Sequence, residues 1–107
     1  MFMGNGGFIW TDALMVIGVL RVEVHLPHAH SLKDKRSVVK RLREQLRSHF
    51  NVAVAEVEVT EKWQRATVGI AAIGQERALV QRVLHDVTQW VRMNGLVELI
   101  SLEEDYA

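Results

Sequence analysis

The sequence predicts an α+β domain in which two helices cover one face of a four-stranded antiparallel sheet. Three observations carry this. Residues 15–26, 52–60, 65–73 and 96–102 are strand-like by alternation or β-branched content, and residues 32–49 and 75–93 repeat apolar side chains at helical spacing. These segments follow one another in the order βαββαβ, the split-βαβ or ferredoxin-like pattern.

The first strand, "MVIGVLRVEVHL" from Met15 to Leu26, sets Val22 and Val24 against Arg21, Glu23 and His25. Pro27 ends it, since proline removes a ladder donor. Ser31 is then a good N-cap for a helix on which Leu32, Val38, Val39, Leu42, Leu46 and Phe50 recur. "VAVAEVEVT", Val52 to Thr60, alternates strictly, with Ala53, Ala55, Val57 and Val59 expected on the core face and Glu56 and Glu58 opposite. "EKWQ" makes the turn of a hairpin to Arg65–Ile73. Leu79, Val80, Val83, Leu84, Val87, Trp90 and Val91 give the second helix its apolar stripe, Asn94-Gly95 stops it, and Leu96–Leu102 is the last strand. The expected sheet side of the core is Val22, Val24, Val57, Val59, Val68 and Ile70.

At 107 residues the chain is long enough for one core, and residues 14–107 are expected to form a single domain. Residues 1–13, interrupted by Gly4, Asn5, Gly6, Gly7 and Asp12, read as a flexible extension rather than a signal peptide. No apolar run reaches the roughly 20 residues that span a bilayer, and a cytoplasmic protein is the default expectation. The absence of cysteine excludes disulfides, thiol nucleophiles and thiolate metal sites.

Net charge is zero, but its distribution is uneven: the first helix carries Lys33, Lys35, Arg36, Lys40, Arg41, Arg43 and Arg47 against Asp34 and Glu44. At about 100° per residue, Lys33, Arg36, Lys40, Arg43 and Arg47 form one stripe, as a helix tracking nucleic-acid phosphates would. Cations in the first turn oppose the helix dipole, so an anion cradled by Ser31, free amides and Lys33 or Arg36 is expected there. Lys35 points toward the apolar arc, either laying its stem over the core with its ammonium in water or reaching the anion from beneath.

Other chemistries are less well supplied. His25, His28 and His30 spell H-x-x-H-x-H, yet zinc wants four ligands and only Asp34 is near, so no metal is expected. The glycine-rich phosphate loop of acylphosphatases, which share this topology, is replaced by "PHAHSLKDKR", and no nucleophile elbow or P-loop occurs. No enzyme and no cofactor are expected. Base stacking on the sheet is not expected either, because neither central strand holds an aromatic residue. Trp63 is expected at a turn, where exposure would make it a candidate for a protein contact, and Trp90 in the core.

The stretch from Val16 to Gly74, with H-S-L-K-x-K-R at His30–Arg36 and "FNVAVAEV" at Phe50–Val57, closely resembles the YlxP-like family of small uncharacterised bacterial proteins. The similarity continues to "ISLEE". The resemblance implies a ferredoxin-like fold and a connection with translation, because relatives are commonly encoded beside translation-initiation and ribosome-maturation factors. It brings no established site residues. The expectation is a noncatalytic RNA- or ribosome-associated module that uses Ser31, Lys33, Lys35, Arg36, Lys40, Arg43 and Arg47. The rival is a homodimeric interaction module that buries Met15, Ile17 and Val19 on the uncovered sheet face and binds no nucleic acid.

Overall fold

The elements follow the expected order: β1 (Val16–His25), α1 (Leu32–His49), β2 (Ala53–Val57), β3 (Arg65–Gly74), α2 (Arg77–Met93) and β4 (Glu98–Tyr106). This is a computed structural model that describes residues 15–107; the expected extension, residues 1–13, lies outside them. All strand pairs are antiparallel and the sheet order is β2-β3-β1-β4, the ferredoxin-like arrangement.

Alternation along β1 decides the two faces. Leu20, Val22 and Val24 are buried beneath the helices, while Val19, Arg21, Glu23 and His25 lie on the uncovered face. The register carries this across the sheet: Leu20 is opposite Ile70 and Val22 opposite Val68, both buried. Leu42 and Leu46 from α1, and Leu84, Val87 and Val91 from α2, close the core from above. At Gly18 a Cβ would stand 2.7 Å from Leu84 Cδ1 and 2.9 Å from Tyr106 Cε2, so the missing side chain lets α2 and β4 meet over the sheet. α2 ends where Gly95 takes a φ of 83°, and Asn94 Oδ1 accepts the Leu96 N–H at 2.6 Å.

Two strand readings need correction. On β2 the faces are reversed: Val54 is buried and Glu56 lies on the helix side, while Ala53, Ala55 and Val57 share the uncovered face with Gly69 and Ala71. Val59 is not a core residue, being 73% exposed, because the strand ends at Val57 and Glu58 turns the chain with a φ of 50°. β4 begins at Glu98 and runs to Tyr106 rather than ending at Leu102. Its acidic run tolerates the sheet because β4 is an edge strand, where Glu103 can pair with Arg21.

The ends of the sheet differ. At one pole Ile17 and Ala107 exchange both backbone hydrogen bonds, at 3.1 and 2.8 Å. At the other lie His25, Glu98, the start of α1 and the β2–β3 loop. Among the described residues no helix is long and apolar enough to cross a membrane.

Candidate nucleic-acid interface

α1 starts where the backbone of Ser31 is still extended, with φ −162° and ψ 166°, and its Oγ accepts the Asp34 N–H at 3.0 Å. Asp34 Oδ2 in turn accepts the N–H of His30, the residue before the cap, at 3.0 Å, so side chain and backbone tie the two sides of the cap together. The chain thus supplies its own anion to the positive helix end, and the Ser31 oxygen expected to cradle a phosphate is already bonded to Asp34. Lys33 and Arg36 remain exposed beside this cap.

Lys33, Arg36, Lys40 and Arg47 are exposed and Arg43 is half-buried, with its Nε sequestered and without a hydrogen-bond partner among the described residues. The five Cα atoms lie within an arc of about 80° and rise about 21 Å along the axis. Among the described residues, none of the five approaches a carboxylate within salt-bridge distance, Glu44 included.

Cations of the sheet behave otherwise. Arg21 is gripped by Glu58 and Glu103, Arg65 Nε is 3.5 Å from Glu23, and His25 Nδ1 is 2.8 Å from Glu98 Oε1. The Glu58 hydrogen bond, with Glu103 assisting against desolvation, holds the Arg21 guanidinium above its usual range. Neutralised charge therefore collects on the uncovered sheet face; cations outside any salt bridge lie elsewhere, Lys62, Arg82 and Arg92 among them, and α1 aligns five in one row.

Lys35 stands apart from the row. Its side chain is 4% exposed, and Nζ donates to the Thr60 carbonyl at 2.9 Å, with Glu56 Oε2 at 3.9 Å. Its position in the apolar arc makes it a strut between α1 and the β2–β3 loop, rather than a group facing solvent or an anion cradle. Arg36, Lys35, Glu56, Val59 and Glu61 line a cleft of about 350 Å³ where helix and loop meet.

The same loop borders a larger groove of about 870 Å³ on its far side, between Trp63 and Ile100, with His25 and Glu98 across it. The sequence flags Trp63, but not its companions, which β1–β4 pairing brings together from residues far apart in the chain: His25 is opposite Glu98. The histidines do not converge, since His25 turns to Glu98 and His28 and His30 are exposed on the loop before α1. Among the described residues no three His, Asp or Glu side chains are grouped to hold a metal.

Comparison with known proteins bears on the whole of this surface. The family described as "Protein of unknown function (DUF503)" matches residues 17–104. The chain belongs to this family. The uncharacterised protein YlxP of Bacillus subtilis (strain 168) is 34% identical over 76 residues, which cover 71% of this chain and 83% of that one. The DUF503 match therefore includes α1, the β2–β3 loop and both clefts. Among solved structures, the designed protein Foldit4 is similar at 14% identity and a TM-score of 0.47, covering 87% of this chain and 96% of its own. SnoaB, a cofactor-independent oxygenase from Streptomyces nogalater, is similar at 16% identity and a TM-score of 0.42, covering 88% and 91%.

Proposed function

We propose that this DUF503 domain is a noncatalytic RNA-binding module that lays α1 along a phosphate backbone, with Lys33, Arg36, Lys40, Arg43 and Arg47 as its contacts. One observation carries the reading: five aligned cations have no carboxylate partner among the described residues, on a chain whose net charge is zero and whose described arginines on the sheet are paired. Such a row is attracted to any phosphate backbone and reads no base edge, so binding is salt-sensitive and weakly sequence-selective. A ribosomal RNA, in the cytoplasm, is the first target to test, given the translation connection that the family resemblance implies.

The test is binding of the purified protein to ribosomal subunits and to a plain RNA hairpin across a salt series. Five phosphate contacts give a slope of log affinity against log salt of about −3.5 to −4.5, which loses about 100- to 500-fold between 50 and 200 mM. Lys40→Glu with Arg43→Glu should flatten the slope by about two and remove most binding. Unchanged affinity in that variant would overturn the reading.

A second reading, a homodimer through the uncovered sheet face, has one supporting observation. Val19, Ala53, Ala55, Gly69 and Ala71 border an apolar hollow of about 280 Å³, and Ile73 is 55% exposed on the same face. A second copy would cover it.

A further inference from the structure

We infer that the groove between Trp63 and Ile100 is a pocket for one unpaired RNA base, with an amino-bearing base, guanine above all, as its preferred occupant. The inference rests on the RNA reading and adds to it a site that α1 does not contain.

The walls come first. Trp63 is 53% exposed and Ile100 42% exposed, both large apolar groups left to solvent on facing elements. Trp63 is nevertheless not on a loose loop. The loop's backbone is held by Leu26 N–H to Gln64 O at 2.9 Å and its side chain by Gln64 Nε2 to Ala29 O at 3.1 Å, while Lys35 holds Thr60 from the other side at 2.9 Å. A backbone held at Thr60 and Gln64 limits how much loop ordering a base stacked on the exposed indole would cost.

Polar groups then select among ligands. Glu98 is the group across the groove, with a side chain 68% exposed. His25 Nδ1 lies 2.8 Å from its Oε1, which keeps a second lone pair, and Oε2 has no partner among the described residues, so both oxygens can accept. A carboxylate only accepts hydrogen bonds, so it repels phosphate and suits the donor edge of a base. Guanine offers two adjacent donors, N1–H and the 2-amino group; adenine and cytosine offer one amino group each. Uracil presents a single N–H flanked by two acceptors, which a carboxylate opposes. Lys62, which also lines the groove, can donate to the ring carbonyl that guanine, cytosine and uracil carry, so the rank rests on the Glu98 contact: guanine, then adenine and cytosine, then uracil.

Continuity with the cation row supplies the backbone. Glu61 borders both the Arg36 cleft and the Trp63 groove, so the two share the β2–β3 loop as a common wall. A strand whose phosphates follow α1 toward Arg36 arrives at that loop, and a nucleotide past the duplex end can place its base on the far side.

The experiment uses fluorescence anisotropy with one labelled RNA hairpin in blunt form and with single-stranded guanine or uracil overhangs. With wild type, guanine overhangs should bind about 5- to 160-fold tighter than the blunt hairpin, the range of one stacked base. Trp63→Ala should bring that ratio to near one, Trp63→Phe should restore part of it, and Glu98→Gln should reduce the guanine-over-uracil preference. Wild-type binding that is salt-dependent but indifferent to overhangs, or a ratio unmoved by Trp63→Ala, overturns the base pocket while leaving phosphate tracking in place. Absence of binding to every RNA at low salt overturns both.

Discussion

Replacing Lys35 by methionine removes one ammonium and keeps most of a stem that is almost wholly buried. In the wild type that ammonium makes one hydrogen bond, to Thr60 O at 2.9 Å, and stands 3.9 Å from Glu56 Oε2. A hydrogen bond from a charged donor contributes about 1.5–3 kcal/mol, but Thr60 is exposed and its carbonyl regains water, so about 1–2 kcal/mol is expected for Lys35→Met. The 3.9 Å contact adds little, because the Glu56 side chain is 22% exposed and returns to solvent when the cation leaves. Lys35→Ala also loses about three buried methylenes, each about 0.8 kcal/mol, for a total of about 3–4.5 kcal/mol. In equilibrium urea unfolding, with a slope of about 1.5 kcal/mol per molar, the midpoint should fall by about 1 M for methionine and about 2–3 M for alanine. Hydrogen exchange at residues 60–64 should accelerate in both. A methionine variant as stable as wild type would refute the strut, and equal losses for the two variants would refute the division between ammonium and stem.

Gly18→Ala forces a methyl to within 2.9 Å of Leu84, Val80 and Tyr106 together, so about 1–3 kcal/mol of stability should be lost in thermal or urea unfolding. Burial, with the hydrogen bond that its hydroxyl donates to Glu104 and the charge of that carboxylate, raises the Tyr106 phenol to about 12 against the opposing charge of Arg77. It is the sole tyrosine, so ultraviolet titration of the native protein should show tyrosinate forming near 12 rather than near the ordinary value of about 10. Its share of stability is whole below about pH 10 and declines as pH rises toward 12, because the unfolded chain releases that proton first. If a second copy covers the sheet face, Ala71→Lys should turn a sedimenting dimer into a monomer; a monomer in wild type at high concentration removes that reading.

The order and type of all six elements were legible in the sequence because β-branched alternation and helical apolar spacing are local signals, strong in β1, α1, β3 and α2. The face of β2 was not. In "VAVAEVEV" both alternating sets are apolar for four residues, so the two glutamates tip the reading, as if each must face water. One of them does not, because pairing with Val68 sets Glu56 on the helix side at the sheet edge, where its side chain keeps 22% exposure and Lys35, 21 positions earlier, stands 3.9 Å away. The extent of β4 was hidden for a similar reason: "EEDY" resembles a solvated tail until Arg21 and Gly18 of β1 are brought alongside by pairing. At the candidate site, the cation row is a property of one helix and follows from spacing alone. The closed cap at Ser31 was also within reach, since S-x-x-D is a local pattern whose aspartate was outweighed by three neighbouring cations. The Trp63 groove depends on register between residues over 70 positions apart, which no local pattern encodes.

The pairing of Ile17 with Ala107 sets an attachment point. Both residues lie at the pole of the sheet away from His25, Glu98 and Trp63. A linker joined before Ile17 or after Ala107 therefore departs from the rear of the molecule, and two cargoes fused to the two positions would start as neighbours. Immobilised from either side, the domain presents its opposite pole outward, so a surface-capture format suits it without masking the region where a ligand would land.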